Sequence, residues 1–190
     1  MKTFELKGTL RSNENLGKKA VKALRASGIV PCVLYGGKEN VNFQVTAADV
    51  RKLIYTPDIH LVELSIDGKP YKAIVKELQF HPVSENLLHI DFLQIVADKP
   101  VTVEIPVQLE GHAEGVKAGG KLSLEARKLK VKALYSNLPD RVVVDVNSLG
   151  LGKKIQVADL HYDNLEIVNV KSQIVAQVKA TRASAAAAQA

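Results

Sequence analysis

Between residues 3 and 10 the chain alternates, with Phe4, Leu6 and Leu10 on one face and Thr3, Glu5, Lys7 and Thr9 on the other. That period of two is the signature of a half-buried strand. After the polar stretch Ser12-Asn13-Glu14-Asn15 the period lengthens. At about 100° per residue, Leu16, Ala20, Val21 and Leu24 fall on one arc of a helix and Lys18, Lys19, Lys22 and Arg25 on the opposite one. Gly28 and Pro31 end the segment, the first as a residue tolerant of a left-handed cap and the second as a helix breaker. Val30 to Tyr35 reads as a second strand, closed by a turn at Tyr35-Gly36-Gly37-Lys38, and Val41, Phe43 and Val45 alternate as a third. Thr46 followed by Asp49 resembles a capping box with a shortened acid, and it opens a helix whose apolar face, Val50, Leu53 and Ile54, runs to Pro57. Asp67-Gly68 between two alternating runs is a strong hairpin signal. The loop His81 to Asn86 leads into a last strand, Leu87 to Ile95.

Beyond Val96-Ala97-Asp98-Lys99-Pro100 the alternation resumes at Val101, Val103, Ile105, Val107 and Leu109. Further strands are expected at Leu122 to Leu124, Leu129 to Ala133, Val142 to Val146, Leu165 to Val170 and Ile174 to Val178, with room for a short helix only in Ser148 to Leu160. The expected fold is mainly β with short helices, an α+β chain. It comprises an N-terminal antiparallel β-barrel over residues 1–95, a mostly β domain over 96–179 and a disordered low-complexity tail, rich in alanine, over 180–190.

Composition narrows the functional classes. One Cys in 190 residues excludes an internal disulfide and thiolate-rich metal sites. With no apolar run long enough to span a bilayer and no apolar leader after Met1, a soluble, cytoplasmic protein is expected, with no membrane partner. The formal charge of +6 is modest, but seven basic residues against two acidic ones put +5 of it in the first 25 residues. Such a concentration suits a polyanionic partner, and equally a solvated face that keeps the chain soluble.

Catalytic signals are weak. Gly115 to Lys121 fits the first seven positions of a phosphate-binding loop, but Leu122 stands where Ser or Thr must hold magnesium, and the residues after it read as strand rather than helix. The segment is expected to be a flexible loop. His60, His81, His89, His112 and His161 show no zinc-ligand spacing, and Cys32 reads as a small core residue. His89 and Asp91 share one face of a strand, which fits a catalytic dyad, a polar contact on a recognition surface or a solvated edge. No enzyme, cofactor, metal site or small-molecule substrate is indicated.

If the partner is nucleic acid, four Phe and five Tyr, most at apolar strand positions, are too few for a single-strand stacking platform. Shape-dependent contact with phosphates and 2′-hydroxyls of a folded RNA suits the groups available. Lys18 and Lys19 also stand in the first turn of their helix, where the macrodipole disfavours cations unless an anion sits nearby.

Gly17-Lys18-Lys19-Ala20, Leu24-Arg25, Gly28, Pro31 and Tyr35-Gly36-Gly37, followed by Leu78-Gln79-Phe80-His81-Pro82 and Leu88-His89-Ile90-Asp91-Phe92, resemble the family of bacterial large-subunit ribosomal protein twenty-five. The added β domain is similar to its two-domain, Ctc-type (general stress protein) branch. The resemblance implies a non-enzymatic ribosomal constituent whose first domain binds 5S rRNA in the central protuberance, beside neighbouring ribosomal proteins of the large subunit. It implies backbone contacts from Arg11, Lys18, Lys19, Lys22 and Arg25, a turn at Tyr35, Gly36, Gly37 and Lys38 that approaches the RNA, and minor-groove contacts from Lys76, His89 and Asp91. Lys22 stands where Arg is frequent in the family, so a bidentate contact is lost there, and Phe80 stands where some members have Arg. A stress-associated RNA-binding role away from the ribosome is the alternative.

Overall fold

The computed structural model describes residues 2–11, 17–37, 39–96, 99–162 and 164–181. Leu16, Lys38 and the alanine-rich stretch from residue 182 onward, all named above, lie outside the described residues. The chain divides into two compact units, one ending at Lys99 and the other beginning at Pro100.

The first unit carries β1 (Lys2–Leu10), α1 (Lys18–Ala26), β2 (Ile29–Tyr35), β3 (Val41–Thr46), α2 (Ala47–Ile54), β4 (His60–Ile66), β5 (Lys69–Phe80) and β6 (Leu87–Gln94). The strands close into a barrel in the order β1-β3-β2-β6-β5-β4. Hairpins join β2 to β3, β4 to β5 and β5 to β6, and these pairs are antiparallel, as expected. At the tip of the second hairpin Asp67 (φ 46°) and Gly68 (φ 83°) are both left-handed, the primed turn that Asp-Gly favours. The β1–β3 pair is antiparallel too, but the other two ladders, β1–β4 and β2–β6, are parallel. The barrel expected is found with four antiparallel ladders, and only its antiparallel label is qualified by these two parallel ones, whose long crossover connections the hydrophobic pattern alone does not reveal.

The barrel is filled by Leu6, Leu34, Phe43, Leu64, Ile90 and Phe92, with the Phe43 and Phe92 rings 5.5 Å apart. Thr46 caps α2 as anticipated, its Oγ1 accepting from the Asp49 amide at 3.3 Å and donating to Asp49 Oδ2 at 2.6 Å. Val50 and Leu53 of that helix join the core. Leu10, grouped with Phe4 and Leu6 by its period, is 49% exposed. It lies beyond the β4 ladder, which ends at Gly8, where β1 passes to its short pairing with β3.

The second unit contains β7 (Val101–Glu110), α3 (Glu114–Lys117), β8 (Lys121–Leu124), β9 (Lys128–Ala133), β10 (Val142–Asp145), β11 (Lys154–Gln156), β12 (Glu166–Ile167) and β13 (Ile174–Lys179). These form a four-stranded sheet, β10-β7-β9-β12, and a three-stranded one, β11-β13-β8. One expected strand is corrected. Leu165 to Val170 shrinks to the two residues of β12, with Val168 and Val170 exposed, because only that stretch pairs with β9. Ser148 to Leu160 does hold a short helix, the 3-10 segment Val157–Asp159 after β11, closed by reciprocal capping between Gln156 and Asp159, but α3 forms outside that window.

On the three-stranded sheet a single carboxylate gathers three donors. Ser123 Oγ and Gln177 Nε2 reach Glu125 Oε1 at 2.9 Å, and Lys179 Nζ at 2.7 Å. The hydrogen bond from Lys179 leads the effects, followed by those from Gln177 and Ser123, that hold the Glu125 carboxyl at about 2, against an ordinary value of 4.5. Because the folded value lies below the unfolded one, this contribution to stability is complete above about pH 4.5 and is lost as pH falls toward 2.

Two measurements check these assignments. Replacing the buried Phe92 by Ala should lower unfolding free energy by about 3–5 kcal/mol in a guanidinium titration. A carboxyl-detected NMR titration should put Glu125 near 2, and Lys179→Ala should raise that midpoint toward 4.5.

Candidate nucleic-acid interface

Helix α1 has nine residues and no fully buried side chain. Ala20, Val21 and Leu24 are half-buried, while Lys18, Lys19, Lys22 and Arg25 are exposed, so the basic arc expected from the sequence forms. A helix this short is marginal in isolation. Its anchor is Arg25, whose Nε donates to the Leu88 carbonyl at 3.0 Å, fixing the C-terminal turn beside the start of β6. At the other end Gly17 supplies no side-chain cap and no acidic residue stands in the first turn. Among the described residues no carboxylate lies within ion-pair distance of Lys18, Lys19 or Lys22. Among the described residues nothing relieves the conflict between these lysines and the helix dipole.

The outer surface of β6 adjoins that anchor. Ile90 and Phe92 point into the barrel, so His89 and Asp91 point out. Their Nδ1 and Oδ1 atoms are 2.7 Å apart, with the side chains 26% and 24% exposed. With the carboxylate ionised, the proton of that bond belongs to Nδ1, and a neutral ring then keeps Nε2 as an acceptor. Gln79 lies opposite His89 and Glu77 opposite Asp91 across the β5 ladder, while Val33 flanks Asp91 on β2. The register jumps between Val75 and Glu77, making Lys76 the extra residue of a bulge. The bulge keeps both Val75 and Leu78 against the core and turns Lys76 and Glu77 to solvent.

Tyr35, at the end of β2, has its phenol pushed upward by partial desolvation and by the charges of Asp91 and Glu77, which places all three in one field. The following turn is shaped by packing. Gly36 is left-handed (φ 93°), and a Cβ there would meet Leu93 Cδ1 at 2.7 Å, while one on Gly37 would collide with the Gln94 amide. Arg11 is half-buried, and its positive charge acts on the Cys32 thiol, which burial nonetheless pushes far up, so that thiol is an inert core group.

Thus α1 and the β6 surface bring Lys18, Lys19, Lys22, Arg25, His89 and Asp91 into adjoining regions, with Tyr35 and Lys76 at the flanks. Sequence reasoning missed Glu77 and Gln79 as members of this surface, because the bulge that turns them outward leaves no local signature. The surface carries cations at one edge and acceptors in the middle. Acceptors of this kind repel phosphates but receive hydrogen bonds from hydroxyl and amino groups.

The phosphate-loop match fails in three dimensions. Helix α3 contains Gly115 and precedes Gly119 and Gly120, and β8 follows them, the reverse of the required order. The Gly115 amide already donates to Leu149 O at 2.9 Å and that of Gly120 to Gly115 O at 2.8 Å. The flexible loop expected there is corrected to a short helix and a packed turn. Among the described residues no His, Cys, Asp and Glu side chains cluster as a metal site would require.

Comparison with known proteins agrees with this arrangement of a barrel followed by a β unit. Residues 6–92 match the ribosomal L25p family, and residues 100–182 match the C-terminal domain of ribosomal protein TL5. The large ribosomal subunit protein bL25 of Porphyromonas gingivalis is 58% identical over 190 residues, covering 99% of this chain and 98% of the relative. Its counterpart in Phocaeicola vulgatus is 53% identical over 195 residues, with 99% and 98% covered, and that of Bacteroides thetaiotaomicron 52% identical over 191, with 99% and 97% covered. The chain belongs to the ribosomal L25p family, in its two-domain form, and is a ribosomal protein rather than an enzyme.

The field shared by Tyr35, Asp91 and Glu77 gives a direct check. Asp91→Asn should lower the Tyr35 phenol pKa back toward 10 in an ultraviolet or NMR titration. An unchanged titration would show that these groups are not neighbours.

Proposed function

We propose that this chain is a structural constituent of the large ribosomal subunit of the cytoplasmic ribosome, and that its first unit binds 5S rRNA in the central protuberance. The observation that carries the reading is the Arg25 to Leu88 hydrogen bond, which sets the cationic arc of α1 against the outward His89–Asp91 pair. On this reading Lys18, Lys19, Lys22 and Arg25 contact phosphates along one strand, and the anion they attract relieves the dipole conflict at the helix start. Asp91 and Glu77 accept from 2′-hydroxyls or guanine amino groups in a wide minor groove, and His89 Nε2 adds a third acceptor. Affinity then comes from the helix and discrimination from the barrel face. Tyr35, Gly36, Gly37 and Lys76 extend the contact along the turn and the bulge, with Arg11 just past the end of β1 and Lys38, which lies outside the described residues, proposed to add to it. The relatives named as large-subunit proteins over nearly their full length support the assembly, and the scarcity of aromatics supports a folded RNA rather than a single strand.

Gel-shift titrations with 5S rRNA at several salt concentrations test the proposal. Affinity should fall steeply with salt, with a log–log slope of about −3 to −4 if four cations each neutralise one phosphate. Reversing the charge of Lys18 and Lys19 together should weaken binding by at least about tenfold and flatten that slope. A flat plot, or full affinity in the reversed variant, would refute the clamp. Co-sedimentation with the large subunit in a sucrose gradient checks the location.

A further inference from the structure

The two sheets of the second unit both present lysines to solvent, but they treat the charge differently. On the four-stranded sheet Lys130 faces Glu104 at 3.8 Å and Lys132 faces Glu166 at 3.3 Å, so two of the three exposed lysines of β9, all but Lys128, are paired within the sheet. On the three-stranded sheet Lys121 lies directly opposite Lys179, and Lys154 opposite Gln177, which itself lies opposite Ser123. Residues in one cross-strand row point the same way, and the next row along that face is two residues on. Lys121, Lys154 and Lys179 therefore share a face, and all three are exposed. The reverse side of the sheet, through Leu122, Ile155 and Val178, packs into an apolar cluster with Ala113, Val146 and Leu149.

Like charges directly opposite one another destabilise a ladder. Glu125 offsets Lys179, but among the described residues no carboxylate lies within ion-pair distance of Lys121 or Lys154. By strand spacing Lys179 stands about 5 Å from Lys121 and about 8 Å from Lys154, each within a Debye length of roughly 8 Å, so their potentials add. The side chains between them are Ser123 and Gln177, both hydrogen-bond donors, and no aromatic anchor of the kind that centres a protein–protein contact stands among them.

From this contrast we infer that the outer face of the β11-β13-β8 sheet is a second RNA contact, in which Lys121, Lys154 and Lys179 bind the phosphate backbone of rRNA other than 5S. Glu125 limits the grip. Its carboxylate collects the hydroxyl, amide and ammonium donors that a phosphate oxygen would otherwise receive, and it orients Lys179 until the RNA arrives. This surface is separate from the barrel interface and does not depend on it.

The test uses the full chain and deproteinised large-subunit rRNA freed of 5S, with binding followed by filter retention across a salt series. Lys121→Gln with Lys154→Gln should weaken binding about tenfold at low salt and make the log–log slope shallower by about two. Glu125→Gln should strengthen binding several-fold by releasing Lys179, which keeps the idea testable with a variant that gains rather than loses. Lys128→Gln with Lys171→Gln, which removes the same charge from exposed positions elsewhere in the unit, should leave binding unchanged. In all three variants 5S rRNA affinity should stay at the wild-type level, so a failure here is distinguishable from a failure of the barrel interface. Unchanged rRNA binding in both the lysine pair and Glu125→Gln would overturn the inference, as it would if the partner were an acidic protein. An equal loss from the control pair would overturn it too, by reducing the effect to net charge.

Discussion

The position of β6 between β2 and β5 is the constraint on which the first unit depends. Ile90 pairs with Cys32 on one side and Leu78 on the other, and Phe92 with Leu34 and Val75. These residues fill the barrel, and the alternation of a strand then leaves His89 and Asp91 no direction but outward. A slip of one residue would place an imidazole and a carboxylate in the apolar interior and expose two large hydrophobes. Core packing and the geometry of the polar surface are consequently one specification, held by the same ladder hydrogen bonds.

That surface is not simply basic, and its mixture of charges has a physical logic. Cations distributed over the whole face would hold any polyanion equally well, since phosphates carry no sequence information. Acceptors at its centre raise the cost of a phosphate in the wrong place and reward a groove that offers donors there. On the proposed reading, separating the lysines on α1 from the carboxylates on β5 and β6 divides attraction from discrimination between two elements, which the Arg25 to Leu88 hydrogen bond holds in register.

What could be read in the sequence was whatever a short stretch of chain decides for itself. The Asp67-Gly68 turn, the Thr46 cap, the basic arc of α1 and the shared direction of His89 and Asp91 all follow from local geometry, and all are found. The parallel closure of the barrel and the partner of Arg25, 63 residues away, depend on contacts between distant segments and had no local trace. The bulge at Lys76 is of the same kind, since one unpaired residue becomes visible only once its partner strand is known, and with it went Glu77 and Gln79. At Gly36-Gly37 the turn was legible, but the left-handed φ of 93° that favours glycine at Gly36, and the Leu93 and Gln94 side-chain ends lying against the turn, were not.

The bare start of α1 sets the free protein against the bound one. An Asp or Ser at position 17 would cap the helix and stabilise it by about 1 kcal/mol in the free protein, where Gly17 contributes no cap. Such a residue would also occupy the amides, and in the case of Asp supply the negative charge, that a phosphate brings from outside. On the proposed reading, a helix begun by glycine and lysines, with no side-chain cap among the described residues, leaves its first amides to the phosphate that docks against it. Thermostabilising this chain by ordinary helix capping would, on that account, trade recognition for rigidity.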